Sequence, residues 1–511
     1  MWGKKSVIFH HFEAQRSCVR QFVEPIYSGL ASNRHCVPRC RMLSGSLPCS
    51  DLNLIYYIKQ EGVCMTTSKL PVADKSLFWA TGLMLFALFF GAGNLIFPAA
   101  MGQQAGEHIV PAMLGFMLTG AGLPLLGVAA IGYSGSRDVQ QLASRVTPLY
   151  GLLFAVLLYL SIGPLFAIPR TATVSFEIGV VPFLGEPSES QRTWALAVFS
   201  IAFFAVSYWL AMSPGKLIDR IGKVLTPFLL LCIAVLVGAS VLWPMGDFQA
   251  AQGEFVTRPL VKGFLEGYNT MDALASLVFA IIVIDSIRAR GVSDKKALTS
   301  LTIRAGVLAA ACLALVYALI AYMGASSVGL FGMLGNGAAV LSQVAQHYFG
   351  MSGNILLAAI VFLACLSTSV GLITSCAEYF NRIWPRVSYR HFAIVFTLVS
   401  CLLANKGLAG IISFSIPMLM LLYPLTVVII LLAFLDKLFG GSRLVYVCTI
   451  FATLVVGLLD AYKTAFGFSD EAAAAINNAL PLYDIGLGWL MPAAAGFVLG
   501  CILNVASKKK N

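Results

Sequence analysis

The chain has 511 residues, of which 59% are apolar and only 11% charged, with a formal net charge of +11 and a mean hydropathy of +0.84. An average soluble domain carries about 25% charged residues, so too little polar side chain is present to cover a water-soluble globule of this size. Soluble enzymes, nucleic-acid-binding proteins and disordered scaffolds are excluded, and a polytopic membrane protein remains. The basic residues stand singly between apolar runs, which suits loop charges that orient a chain in a bilayer rather than a nucleic-acid surface.

Residues 1–64 look foreign to the rest. They hold five of the twelve cysteines (Cys18, Cys36, Cys40, Cys49, Cys64) and no stretch of spanning length. At Met65 the text changes to a short polar segment that runs into a long apolar helix, so 1–64 is expected to be an extension from a mis-assigned start, or disordered. A basic organelle-targeting extension is the alternative, supported by Arg16, Arg20, Arg34, Arg39 and Arg41 and opposed by Glu13 and Glu24. Cys36 and Cys40 beside His35 lack a second ligand pair, so no transition metal is expected there. The remaining cysteines sit singly in apolar stretches and form no disulfide framework.

A spanning helix needs about 20 apolar residues. Twelve candidates follow, at roughly 76–99, 109–132, 148–169, 193–212, 219–243, 264–286, 304–325, 350–380, 390–405, 408–435, 443–462 and 484–506. With the N-terminus inside, the inner loops and termini carry 20 lysines and arginines and the outer loops 6, the latter including Arg170. That asymmetry predicts a multi-pass protein with both termini cytoplasmic. The organisation expected is a membrane domain over 65–506 and a basic tail over 507–511.

Three spans carry polar or helix-weakening residues at depth. The first contains Phe90-Gly91-Ala92-Gly93-Asn94 and then Phe97-Pro98. Two glycines and an asparagine weaken a helix there, and a half-helix starting near Asn94 would aim free N–H groups and a positive dipole end at a carboxylate. A close-packing Gly-x-Gly face is the alternative. The sixth opens with Glu266-Gly267-Tyr268-Asn269-Thr270-Met271-Asp272-Ala273. Two acids and an amide within a nominal span demand partners or water, unless Glu266 and Asp272 simply face external solvent. Weak segments in spans 1 and 6 imply a five-plus-five inverted repeat, about 76–243 and 264–435, with extra helices over 443–506; such pairing points to a binding site between the repeats. The eighth span carries Ser367-Thr368-Ser369. Hydroxyl and carbonyl oxygens are the hard ligands that a Na⁺ needs, although such hydroxyls also back-bond to the preceding helical turn.

The segments LFALFFGAGNLIFP (85–98), EGYNTMDALASLVFAIIVI (266–284) and LACLSTSVGLITS (363–375) together resemble the branched-chain amino acid carrier family, the BrnQ-type symporters, over about residues 75–506. The resemblance implies an all-α LeuT-type fold and uptake of leucine, isoleucine and valine across the plasma (inner) membrane, with Na⁺ or, in some members, H⁺. By position it implies that amides around Gly91, Ala92, Gly93 and Asn94 hold the substrate carboxylate. The backbone opened between Ala273 and Phe279, with Ser276, would complete the pocket, and Phe279 would gate it. Carbonyls of Ala87, Phe90 and Ala364 with the hydroxyls of Ser367 and Thr368 would form a Na⁺ site. Some relatives complete a second ion site with a span 7 asparagine; the span around Tyr317 has none, so one coupling ion is expected. Glu266 or Asp272 would carry the proton if H⁺ were the driver.

No organic cofactor is expected. A membrane enzyme would need a catalytic constellation, and neither a His-Glu-x-x-His segment nor paired Cys/His ligands occurs in the spans. A channel would need pore loops or rings of like charge. The sequence therefore leads to a symporter working by alternating access, with a same-fold carrier of another small solute, or one driven by H⁺, as the nearest rival.

Overall fold

The computed structural model describes residues 75–508 apart from 186–187, 214–215, 217 and 293. The expectations for 1–64, including Cys36 and Cys40, therefore lie outside the described residues, as does most of the basic tail. All regular structure described is helical. In chain order the elements are α1 (Lys75–Phe89), α2 (Ala92–Ala105), α3 (Ile109–Met117), α4 (Leu123–Ser134), α5 (Val139–Ala143), α6 (Pro148–Leu160), α7 (Ala167–Gly179), α8 (Glu189–Ala211) and α9 (Thr226–Leu242). After them come α10 (Pro259–Tyr268), α11 (Asp272–Ala289), α12 (Lys295–Phe331), α13 (Gly337–Ile383), α14 (Tyr389–Ala404), α15 (Gly407–Leu435), α16 (Arg443–Phe466), α17 (Asp470–Ala479) and α18 (Leu490–Lys508).

Among the described residues, nine helical stretches are long and apolar enough to cross a membrane, or ten when the bent pair α10 and α11 is taken as one; α1 and α14 are shorter apolar helices. Their outward side chains are apolar too. Trp194, Leu402, Phe414 and Ile502 all stand well exposed, a surface that water does not tolerate and hydrocarbon does. The polar ends are built as helix starts should be. Asp138, Thr147, Ser188, Asp294, Asn336 and Ser469 each accept the N–H three residues on, and Pro148 follows Thr147 at a position where no N–H is needed.

The centre of the bundle is α11, with α4, α13, α1 and α15 around it. Every residue of α11 from Asp272 to Ile284 is buried, the mark of a helix covered on all sides. Backbones approach closely in this core. A Cβ on Gly102 of α2 would lie 2.1 Å from the carbonyl oxygen of Ala321 in α12, and one on Gly324 would lie 2.2 Å from that of Ala99. Small residues permit such contacts between membrane helices. Gly102→Val is therefore expected to lower the thermal stability of detergent-solubilised protein by several degrees, in line with overpacking costs of about 1–3 kcal/mol. Gly238→Ala, where nothing lies within 4 Å, serves as the unperturbed control in the same melting measurement.

Four interruptions break the regular ladders. Helical structure lapses at Phe90 and Gly91 between α1 and α2. Between α6 and α7, Gly163 departs from helical dihedrals and Pro164 follows it, after which the chain turns helical again and runs on to Gly179. Asn269–Met271 separates α10 from α11, which meet at 42°. Gly350 kinks α13 with a φ of 57°.

Candidate substrate and ion site

At the first break, Gly91 is extended and its N–H donates to Asn94 Oδ1 at 3.1 Å. The next amides belong to the first turn of α2, where no intrahelical acceptor exists and the dipole end is positive. On the other side of the gap, the last carbonyls of α1 are met by α13. Ser367 Oγ donates to the carbonyl of Ala87 at 2.8 Å and to that of Ala364 at 2.9 Å, and Thr368 Oγ1 donates to Leu88 at 3.0 Å. A Cβ on Gly91 would come within 2.9 Å of Thr368 Oγ1, so glycine lets the hydroxyl close on the gap. The structure thus brings Ala87, Ala364, Ser367 and Thr368 together as an all-oxygen corner. Leu88 joins them without having been singled out, while Phe90 lies buried at the break with its ring stacked on Phe86 at 5.2 Å.

At the second break, Met271 takes a left-handed conformation with φ 67°. The carbonyls of Asn269 and Thr270 accept from the guanidinium of Arg170, at 3.0 Å from Nη1 and 3.4 Å from Nη2. The guanidinium also lies 5.7 Å from the centre of the Phe97 ring. A Cβ on Gly93 would sit 2.8 Å from Nη2, which explains the second glycine of the Gly-x-Gly pair. Two expectations need correction here. The opened backbone is not Ala273–Phe279, which is regular helix within α11, but Asn269–Met271 just before it. An acid in the first turn of a helix is favoured by the dipole, so Asp272 marks where the helix resumes. Nor is Arg170 an outer-loop charge. The helical chain continues past the Gly163–Pro164 kink, and α7 carries Arg170, 5% exposed, into the core.

Asp272 is 2% exposed. Its Oδ2 accepts from Tyr317 of α12 at 2.7 Å and from the Asn94 amide, which also contacts the Tyr317 hydroxyl. Asn94, Arg170, Asp272, Gly91, Ala92, Phe279 and Thr368 line one narrow cavity, with Leu88, Phe89, Ile162, Ala275 and Leu372 as its apolar wall. Phe279 packs edge-on against Phe89 with ring centres 5.7 Å apart. Ala273 and Ser276 are not in this lining. Ser276 donates to the Ala273 carbonyl at 2.6 Å and faces Gly127 of α4, where a Cβ would overlap its hydroxyl. Glu266 stands apart as well, in an ion pair with Lys262 at 3.2 Å and accepting from Asn269 Nδ2 at 3.0 Å.

Residues 74–507 match the family model described as branched-chain amino acid transport protein. The chain belongs to that family. Its relatives include the branched-chain amino acid permease BraB of Bacillus subtilis, 47% identical over 438 residues, which cover 85% of this chain and 96% of the permease. Another is the branched-chain amino acid transport system 2 carrier protein of Pseudomonas aeruginosa, 45% identical, with 83% and 95% covered. The BrnQ permease of Escherichia coli K12 is 39% identical, with 84% and 96% covered. Membership makes this multi-pass membrane protein a transporter and not an enzyme. In fold it is similar to a transporter of the nucleobase-cation-symport-1 family solved in a closed conformation with bromovinylhydantoin bound. That likeness has a TM-score of 0.53 at 14% identity, covers 84% of this chain and 93% of the other, and identifies the fold as LeuT-like.

Two polar residues of the site, one lining the cavity and one behind Asp272, escaped the sequence reading. Arg170 was hidden by its neighbours Pro164 and Pro169, which suggest the end of a span. Tyr317 carries no signal of its own among apolar residues, since membrane tyrosines commonly serve packing. The Lys262–Glu266 spacing of four, by contrast, was a readable sign that Glu266 already had a partner on its own helix.

Proposed function

We propose that the protein is a secondary active symporter that imports leucine, isoleucine and valine with Na⁺ by alternating access. The observation that carries this reading is the cavity between the two helix breaks, where first-turn amides, a buried guanidinium and a buried carboxylate face an apolar wall. The names of its relatives supply the substrate class. In this reading the amides around Gly91, Ala92, Gly93 and Asn94 take the substrate carboxylate, Phe279 closes over the side chain, and the Ala87, Ala364, Ser367 and Thr368 oxygens take Na⁺, with Phe90 at the seam. Ala273 and Ser276 keep a packing role. Apolar pockets separate one methylene by only about 1–3 kcal/mol, so poor discrimination among the three substrates is expected.

The membrane reading is twelve spans in a five-plus-five repeat with two helices appended. Pairing α1 with α2 and α10 with α11 as interrupted spans, separating α2 from α3–α4, and including the short α14 supports that number. With Arg170 withdrawn from the loops, 20 basic residues face inward against 5 outward, in keeping with cytoplasmic termini in the plasma membrane.

Inward Na⁺ movement yields about 2.3 kcal/mol per 100 mV before any concentration gradient, more than the ~1.4 kcal/mol that each tenfold of accumulation requires. The test is labelled leucine uptake into proteoliposomes with Na⁺ replaced by K⁺ and pH varied separately. Uptake at least tenfold faster with an inward Na⁺ gradient is expected. Uptake that ignores Na⁺ and follows an inward proton gradient would overturn Na⁺ coupling in favour of H⁺.

A further inference from the structure

The cavity holds two opposite charges that do not neutralise each other directly. Arg170 spends hydrogen bonds on the Asn269 and Thr270 carbonyls, and among the described residues no ion pair joins it to Asp272. Asp272 in turn receives both of its side-chain donors, Asn94 and Tyr317, on Oδ2 alone. The carboxylate is buried and lines the cavity on which Arg170 also opens. A buried carboxylate without an ion-pair partner is costly, and the cost is relieved by a ligand that brings donors and positive charge.

We infer that Asp272 is the receptor for the substrate α-ammonium group, and that Asn94 and Tyr317 are positioning residues that hold its carboxylate at the cavity wall. The assignment rests on the transport reading above and deepens it. The carboxylate end of an amino acid lies toward the amides of α2 and Arg170, and the ammonium end toward Asp272. One carboxylate and one guanidinium leave the empty cavity without net charge, so a zwitterion fills it without creating an uncompensated ion. Two donors on Oδ2 hold the carboxylate in one orientation, which is how a site favours a directional N–H donor over any passing cation.

The test measures equilibrium binding of labelled leucine and of labelled 4-methyl-2-oxopentanoate, which has the same side chain and carboxylate but no ammonium group, to full-length protein in detergent. Wild-type protein is expected to prefer leucine. In Asp272→Asn, leucine affinity falls at least about 30-fold, the size of a lost hydrogen bond to a charged group, while keto-acid affinity stays within about threefold. Tyr317→Phe keeps the carboxylate and loses one aiming donor, and its leucine-to-keto-acid ratio falls several-fold. Equal losses of both ligands in the two variants, or an unchanged ratio with altered Na⁺ or pH dependence, overturn the assignment. Wild-type protein that binds no leucine overturns the transport reading and this assignment with it.

Discussion

Thr368→Ala is expected to leave leucine binding in place while the Na⁺ concentration needed for half-maximal uptake rises at least about tenfold, equivalent to ~1.4 kcal/mol. The hydroxyls of Ser367 and Thr368 bridge α13 to the last carbonyls of α1, at 2.8 Å to Ala87 and 3.0 Å to Leu88. Carbonyls at a helix end have lost their intrahelical donors. Either a hydroxyl proton or a cation satisfies them, and a hard cation accepts the hydroxyl oxygens as further ligands. Removing Thr368 Oγ1 deletes one ligand and frees the Leu88 carbonyl, whereas the amides of α2 and the Asp272 side of the cavity keep their atoms. Ser367→Ala touches two carbonyls, Ala87 and Ala364, and is expected to have the larger effect. Uptake against a Na⁺ titration at fixed leucine checks both variants. Unchanged Na⁺ dependence in the double variant would remove the oxygen corner from consideration as the ion site.

Arg170→Ala is expected to cut leucine uptake by more than about 100-fold and to lower the melting temperature as well. The substitution strips two carbonyls at the α10–α11 break of their donor at once, at about 1–3 kcal/mol for each buried group left unsatisfied. It also removes the positive charge that shares a cavity with Asp272. Arg170→Lys separates these contributions. A lysine restores charge but not the planar fork that reaches two carbonyls together, so stability recovers in part and uptake remains impaired. Proteoliposome uptake and melting of the solubilised protein, measured on the same preparations, check the pair. A normal uptake rate in Arg170→Ala would show that the break closes without it.

The first break was legible because its chemistry is local. Gly91, Gly93 and Asn94 weaken a helix by their own properties, and each proves to sit where a neighbour needs room or a hydrogen bond: Gly91 under Thr368, Gly93 under Arg170, Asn94 against Asp272. The hydroxyl run of α13 was legible for a similar reason, since consecutive oxygens among apolar residues stand out. The second break was read a few residues late. Asp272 looked like part of the disruption, whereas it opens the resumed helix, and nothing in a methionine side chain announces the left-handed conformation of Met271. Arg170 shows the limit of hydropathy. Its burial depends on carbonyls about 100 residues away, so no window along the chain contains its reason for being inside. Tyr317 likewise acquires a role only through Asn94 and Asp272, each on another helix.

The glycine contacts carry a mechanical consequence. Through Gly102 and Gly324, α2 is seated backbone to backbone on α12, and a Cβ on Gly337 at the start of α13 would collide with the carbonyl of Ile96. On the far side of the seam, α1 rests on the same helix, where a Cβ on Gly82 would lie 2.6 Å from Leu308, and the carbonyl of Ala80 is pressed against Gly222 as well. The two pieces flanking Phe90 and Gly91 are thus bolted to one chassis, α12, and the seam lies between two anchored ends. A shift of α13 against that chassis would carry Thr368 past the Ala87 and Leu88 carbonyls and, in the same stroke, move one wall of the cavity. Under the proposed Na⁺ coupling, cargo and ion would then leave through one gear train, with no separate signal needed to keep them in step.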